Sequence, residues 1–530
     1  MGTDEGRAMM QIVHDVAPGA AQAFHTAFNG LADFANGILE LKTAAGADVI
    51  VDDVIYPEEP MFADGAVAQA VDQVKAMGVP YFSAAGNSAQ DSYESAFRPS
   101  GEQVTIVDEF GNLLLNGELH DFDPGSGVDL LQRITAPFGT QVVLSLQWDQ
   151  PYFSVSGLPG STSDIEICVT DNPPDGIPTA VFACSFVDNL NNDPVDVLTY
   201  LNFDFFSINS DFALMILNNG NLPGPNPGLM KYVWFNGGAT INEYQMSTST
   251  TYGHANAAGA EAVGAAFYRE TPEFGQTPPL LEDFSSAGGT PILFNSSGAR
   301  LLTPEVRAKP EIVAPDGTDT SFFPPPELFG NTDVDSSGFP NFFGTSAAAP
   351  HAAGVAALIL DKNSALLPDD VYRSLEITAI DMGPVGFDFK SGLGFIRADA
   401  ALNVVVPEPP PIPKLHVGDL DGSFTSNSRS WRASVAIAVH NNANHGSLKG
   451  AIVTGNWSSN GVTVASSSCT TGNNGRCTVQ SPRLSSSSSS AAFAVQGVSL
   501  SGYNYDSGSN HDPDVGETHP TSSSITVTKP

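Results

Sequence analysis

Gly344-Thr345-Ser346-Ala347-Ala348-Ala349-Pro350-His351-Ala352-Ala353-Gly354 sets a serine where a Gly-Thr turn runs into an alanine-rich helix, expected from Ser346 to about Leu360. The first N–H groups of a helix have no intrahelical acceptor, and the helix dipole adds to their positive potential. A serine there can be a plain cap, or a nucleophile whose developing charge those amides stabilise. The small side chains after Ser346 leave room for a substrate carbonyl, and Pro350 falls near the first turn, where it is tolerated.

The surroundings predict an α/β domain in two pieces. Within residues 1–90, helical spacing of Ala8, Met9, Ile12 and Val13 is followed by a short apolar strand after Pro18. A helix through Leu31, Phe34, Ile38 and Leu41 comes next, then the strand ADVIV (47–51). A helix through Ala66, Ala68, Ala70 and Val74 leads into VPYFSAAGN (79–87). Such alternation means a parallel, doubly wound sheet with helices on its faces. It resumes over 246–404, with strands at GAEAVGAAF and KPEIVAP.

Between the two pieces, 91–245 changes period. Val142, Leu144, Leu146 and Trp148 alternate, and DPGSG, DNPPDG and NNGNLPGPNPG punctuate short strands, which predicts an inserted β-sandwich. Residues 405–414 form a Pro-rich, extended linker. Beyond it, 415–530 reads as an immunoglobulin-like β-sandwich with Val435, Ile437 and Val439 alternating and Trp431 as core anchor.

Of 530 residues, 58 are acidic and 21 basic, for a formal net charge of −37. That charge disfavours nucleic acid and anionic membranes and favours cations. No stretch is long and apolar enough to span a membrane, and the first residues lack a signal peptide. The four cysteines suggest two local disulfides, Cys469 with Cys477 and Cys168 with Cys184, as suits an oxidising compartment. Acidic loops at DFDPG, Asp164–Glu166, DLDG (419–422) and NHDPD (510–514) leave room for structural Ca²⁺, but their spacing favours turns, and no metal ligand is assigned.

The full Ser346 string resembles the GTSxAxPHxAG signature of subtilisin-like serine peptidases. KPEIVAPDG (309–317) resembles that family's KPDIVAPG segment. Ser83-Ala84-Ala85-Gly86-Asn87 resembles AAAGN, which implies an oxyanion-donating amide at Asn87. Val16-Ala17-Pro18-Gly19-Ala20 resembles the GVAPxA landmark after the catalytic-histidine helix, and Asp48 to Val54 resembles the substrate-pairing strand. The resemblance implies a secreted serine endopeptidase acting on polypeptides through an acyl-enzyme on Ser346, monomeric and needing no cofactor for its chemistry.

The resemblance breaks at the base. Read back from VAPGA, the family's HGTHVAG motif falls on Glu5-Gly6-Arg7-Ala8-Met9-Met10-Gln11, so Glu5 stands at the histidine position. No Asp-bearing first strand precedes it, which leads to the expectation of an N-terminally truncated chain. Sedolisins, relatives of subtilisin, use Glu as base, but their Asp one helical turn later corresponds to Met9, and their oxyanion Asp to Asn87. Asp53 is the candidate second carboxylate, sharing a proton with Glu5, and Asp4 reads as a helix cap. His14, His254 and His351 are disfavoured as replacement bases. The rival reading is an inactive pseudo-peptidase that acts as a binding or adhesion protein.

Overall fold

Four short, nearly continuous apolar runs build a parallel sheet in the order Ile50–Asp52, Tyr81–Ala84, Ala260–Phe267, Ile312–Asp316. Ile50 aligns with Tyr81, Tyr81 with Ala260, and Val263 with Ile312. A computed structural model describes residues 5–107, 110–174, 176–203, 210–220, 222, 224–235, 238–322, 333–404, 413–511 and 523–529. The chain divides into two compact units, Met1–Val406 and Pro407–Pro530.

Successive strand residues face opposite sides, so each strand needs cover on both faces. Phe82, Ala84, Val263, Ala265, Ile312 and Ala314 pack beneath Ala348, Ala349, Ala352 and Ala356 of the helix Thr345–Lys362. On the other face, Ile50 and Tyr81 pack against helices Leu31–Thr43 and Ala66–Ala76 through Phe34, Ile38, Val67, Val71 and Val74. This is the expected α/β arrangement with helices on both faces. Ile50–Asp52 is the outermost strand on its side among the described residues, and a cavity of about 760 Å³ lies against it.

One expected strand is absent. The residues after Pro18 pair with no strand; the large side chains there, Phe24 and Phe28, are 63% and 72% exposed. Too little apolar surface is buried to hold an extended segment against the sheet.

Between Ser92 and Ile241 the chain forms two antiparallel sheets. One runs in the order Val195–Leu201, Gln141–Trp148, Met230–Phe235, Ser92–Ser95. The other is built around Asp211–Asn219, paired with Gln132–Thr135, Ile165–Asp171 and Leu113–His120. Leu144, Trp148, Leu198 and Tyr232 of the first share one core with Ile134, Ile167 and Phe212 of the second. This segment does not separate from the α/β part. The Ser145 hydroxyl donates to the Pro57 carbonyl at 2.6 Å, and Gln147 donates to the Glu59 carbonyl at 2.8 Å and accepts from the Met61 N–H at 2.8 Å.

In Pro407–Pro530, one sheet contains Arg476–Gln480, Ser430–Asn441, Lys414–Ser426 and Asn504–Tyr505 in that order. The other contains Val462–Thr470, Ile452–Ser459, Ser490–Ser499 and Ser524–Thr528. Val435, Ile437, Val439 and Trp431 are buried in its core with Trp457 and Phe493. Both expected disulfides are present, Cys168–Cys184 and Cys469–Cys477. Most of the linker read over 405–414 lies outside the described residues, as does Asp4.

Candidate active site

Ser346 is the second residue of the helix Thr345–Lys362 and is half-buried. Gly344 caps the helix with φ +109°, where a side chain would be strained, and a Cβ there would meet Asn87 Nδ2 at 3.1 Å. The Gly344 N–H donates to Asp316 Oδ2 at 2.8 Å, which ties the turn to the end of the strand Ile312–Asp316. Burial, followed by the neighbouring Glu282, pushes the Asp316 carboxyl up to about 7.

Asn87 follows the strand Tyr81–Ala84, so it reaches the same end of the sheet as the Ser346 turn. Its Oδ1 accepts both the Thr345 N–H (3.0 Å) and the Thr345 hydroxyl (2.9 Å). The Thr345 Oγ1 accepts in turn from the Gly86 N–H at 3.1 Å. With its oxygen held this way, the amide has one orientation, and its Nδ2 hydrogens are left for the cleft beside Ser346.

Glu5 opens the helix Glu5–Val16, which lies against the nucleophile helix. Ala8, Met9 and Ile12 pack with Phe342 and Ala347. At the other end, a Cβ on Gly354 would come within 2.8 Å of the Val16 side chain, so a glycine is what permits the approach. The result places Glu5, Asp53 and Ser346 side by side along the wall of one cleft. Burial, then the charges of Glu5 and Asp52, hold the Asp53 carboxyl well above the usual carboxylate range. Burial raises Glu5 as well, while its hydrogen bond with Asp53 works the other way. Two neighbouring, partly buried carboxyls cannot both ionise cheaply, which favours a state in which one proton is kept between them.

The serine, the amide and both carboxyls line one cleft of about 320 Å³, with Val54, Ile55, Tyr56, Phe235 and Tyr252 on its apolar walls. Two of these groups, Asp53 and Asn87, follow strand ends of the parallel sheet, the usual location of a ligand crevice in this architecture. The four residues singled out from sequence, Ser346, Asn87, Glu5 and Asp53, are thus brought together.

The histidines considered as substitutes are otherwise engaged. His14 is exposed on its helix, and His351 Nδ1 bonds the Ala347 carbonyl oxygen at 2.8 Å, with burial lowering the ring to about 4. His254 is buried at the cleft floor with Nδ1 2.7 Å from Glu59 Oε1 and Nε2 2.9 Å from Asp52 Oδ1. Burial alone would lower His254; the carboxylates of Glu59 and Asp52 outweigh it and hold the imidazolium. From the sequence alone, His254 is weighed only as a replacement base, and Glu59 and Asp52 are given no role. Their separation in sequence hides the cluster; the alternation of Asp52 and Asp53 on a strand, one to each face, was the available signal.

Where their residues are described, the acidic loops serve turns and ion pairs; Asp512 and Asp514 of NHDPD lie outside the described residues. Asp121 and Asp123 accept backbone N–H groups of Asp123, Gly125, Gly127 and Asp129. Arg476 pairs with both Asp419 and Asp421.

The subtilase family matches residues 56–394. The chain belongs to the subtilase family. Glu5 and Asp53 lie upstream of the matched range. Among curated proteins, it is 42% identical over 64 residues to fervidolysin of Fervidobacterium pennivorans, covering 12% of this chain and 9% of that protein. It is 36% identical over 66 residues to an extracellular serine protease of Serratia marcescens, covering 12% of this chain and 6% of the relative. The chain therefore spans under a tenth of either relative. The solved CspB protease of Clostridium perfringens is 13% identical with a TM-score of 0.41, over 70% of this chain and 69% of that one. No helix among the described residues is long and apolar enough to cross a membrane.

Proposed function

We propose that the chain is a serine-type endopeptidase in which the Glu5–Asp53 carboxyl pair replaces histidine as the general base. The observation that carries this reading is that Glu5, Asp53, Ser346 and Asn87 line one cleft, with burial raising both carboxyls. The ionised member of the pair accepts the serine proton as Ser346 Oγ attacks the scissile carbonyl. The tetrahedral oxyanion then sits between Asn87 Nδ2 and the N-terminal amides of the nucleophile helix. The proton passes to the departing amine, leaving an acyl-enzyme that water hydrolyses by the same route in reverse. A polypeptide is the substrate; the apolar cleft walls would take its side chains, with the Asp52–His254–Glu59 cluster beneath.

The place of action is extracellular. The two disulfides support it, since such bonds persist in oxidising compartments. The immunoglobulin-like reading of 415–530 rests on its two sheets, antiparallel except where Asn504–Tyr505 pairs in parallel with Lys414–Ser426, about one buried tryptophan-bearing core.

A fluorophosphonate probe tests the nucleophile. Across pH 3–8 the chain is expected to label once, at Ser346, with labelling abolished in Ser346→Ala and strongly slowed in Glu5→Gln. Absence of labelling at every pH, with the fold intact, would favour a non-catalytic protein instead.

A further inference from the structure

Four of the ten histidines converge in the unit Pro407–Pro530, and none of them enters the peptidase reading. His416 lies on the strand Lys414–Ser426 and His440 on Ser430–Asn441. His445 occupies the following turn at φ +54°, and His511 follows the short helix Ser507–Ser509. One ring nitrogen from each lies within 4.8 Å of the other three. All six ring-centroid separations fall between 4.9 and 6.5 Å.

We propose that His416, His440, His445 and His511 form a binding site for one divalent transition-metal ion, with Zn²⁺ as the best-fitting occupant. Tetrahedral nitrogen ligands at about 2.0–2.1 Å from Zn²⁺ stand roughly 3.3–3.4 Å apart. Small rotations of the exposed His445 and the half-buried His440 and His511 close the remaining gap. An all-imidazole donor set excludes Ca²⁺ and Mg²⁺, which require oxygen ligands, and suits Zn²⁺, Cu²⁺ or Ni²⁺.

Independent features point to an ion rather than chance proximity. His416 is 1% exposed, yet its Nε2 has no hydrogen-bond partner, and His440 Nδ1 is likewise buried and unpartnered. Leaving such groups unsatisfied costs stability unless something binds them. His416 is also held in the manner of a ligand. Its Nδ1–H donates to Asn442 Oδ1 at 2.7 Å, which leaves the Nε2 lone pair facing the cluster. Asn442 Nδ2 in turn donates to Asp506 Oδ2 (3.2 Å) and Ser509 Oγ (3.1 Å). Outer partners of this kind fix ring tautomer and orientation at metal centres.

The backbone makes room for the arrangement. The pairing of the first two strands shifts register between Val417 and Asp419, and a Cβ on the intervening Gly418 would fall 2.1 Å from His440 Nδ1. Four protein ligands would complete a tetrahedral shell, so the ion would be structural. It would fasten the segment carrying His511 to the hairpin that carries His416 and His440.

The test uses the full chain without a histidine tag, stripped with chelator and titrated with ZnCl₂ against a chromophoric competitor. One equivalent is expected to bind and survive dialysis, and Co²⁺ in its place should give the intense visible bands of a tetrahedral site. His445→Asn preserves the left-handed backbone position, since asparagine tolerates it, and His511→Gln changes a half-buried ring. Each should weaken Zn²⁺ binding at least about tenfold, and Asn442→Ala about 10–100-fold. Fluorescence of the buried Trp431 and Trp457 reports whether each variant is folded. Less than one equivalent retained by the parent chain, or unchanged affinity in a folded His445→Asn/His511→Gln double variant, would overturn the site.

Discussion

Asn87 and Glu5 illustrate how single residues set the chemistry, and each makes a separate prediction. Asn87 has its amide oxygen fixed by Thr345, so under the proposed mechanism Asn87→Ala removes one oxyanion donor while leaving Ser346 and Asp53 in place. The expected loss is about 10²–10³ in kcat with KM little changed, measured on a peptide substrate. In the proposed mechanism Glu5 acts through a proton shared with Asp53. Both carboxyls are raised, so the pair is doubly protonated in acid, singly protonated over an intermediate range, and doubly ionised only at higher pH. Activity requires an ionised acceptor, and the remaining proton bridges the pair. A bell-shaped profile of kcat/KM follows, with its maximum between the two ionisations of the pair. Glu5→Gln cannot lose the second proton; its profile should keep the acid limb, lose the alkaline limb and fall about 10²–10⁴-fold at the optimum. An unchanged alkaline limb in that variant would exclude Glu5 from the pair.

At the scale of elements, the decisive packing is between the helices Glu5–Val16 and Thr345–Lys362. Gly354 and the alanines of the second helix let the first approach, and that approach carries Glu5 to the nucleophile. Gly354→Val inserts a branched side chain where even a Cβ meets Val16 at 2.8 Å. The helices must separate or shift, at a cost of about 1–3 kcal/mol in stability. Peptidase activity should drop by more than that destabilisation explains, with slowed probe labelling of Ser346 in folded protein as the measurement. This packing was only partly legible in the sequence. The Ser346 string and Asn87 were readable because their chemistry depends on local order: a turn, a glycine, a helix start. The parallel sheet was readable from four apolar runs between helical periods. The Asp52–His254–Glu59 cluster and the four histidines were not, because their members come from segments whose meeting depends on register and on loops without periodicity. The strand expected after Pro18 failed for a related reason, since local apolarity cannot say whether a pairing partner exists.

For the whole molecule, the sharpest expectation concerns stability against pH, and it arises away from the cleft. Glu166 and Asp196 lie buried on strands of the two different antiparallel sheets, both in contact with the single hydroxyl of Ser185. One hydroxyl hydrogen cannot satisfy two carboxylates, and burial first, with the mutual repulsion of the acids, pushes Glu166 up to about 9. Burial likewise raises Asp196 to about 8, with Asp164 adding to it. In the unfolded chain both would titrate near 4. Between those limits the folded state binds more protons than the unfolded state, so stability must fall as pH rises. The contribution is fully present below about pH 4 and is lost as pH climbs through 8 to 9. Asp316, at about 7, acts in the same direction. Calorimetry on the intact chain should therefore show the unfolding temperature of the unit Met1–Val406 declining steadily from pH 5 to pH 9. Glu166→Gln removes one titrating group but keeps a hydrogen-bonding side chain of the same size. It should flatten that decline and give its largest relative gain at pH 9. A decline of the same slope in the variant would show that the acid pair does not hold its proton.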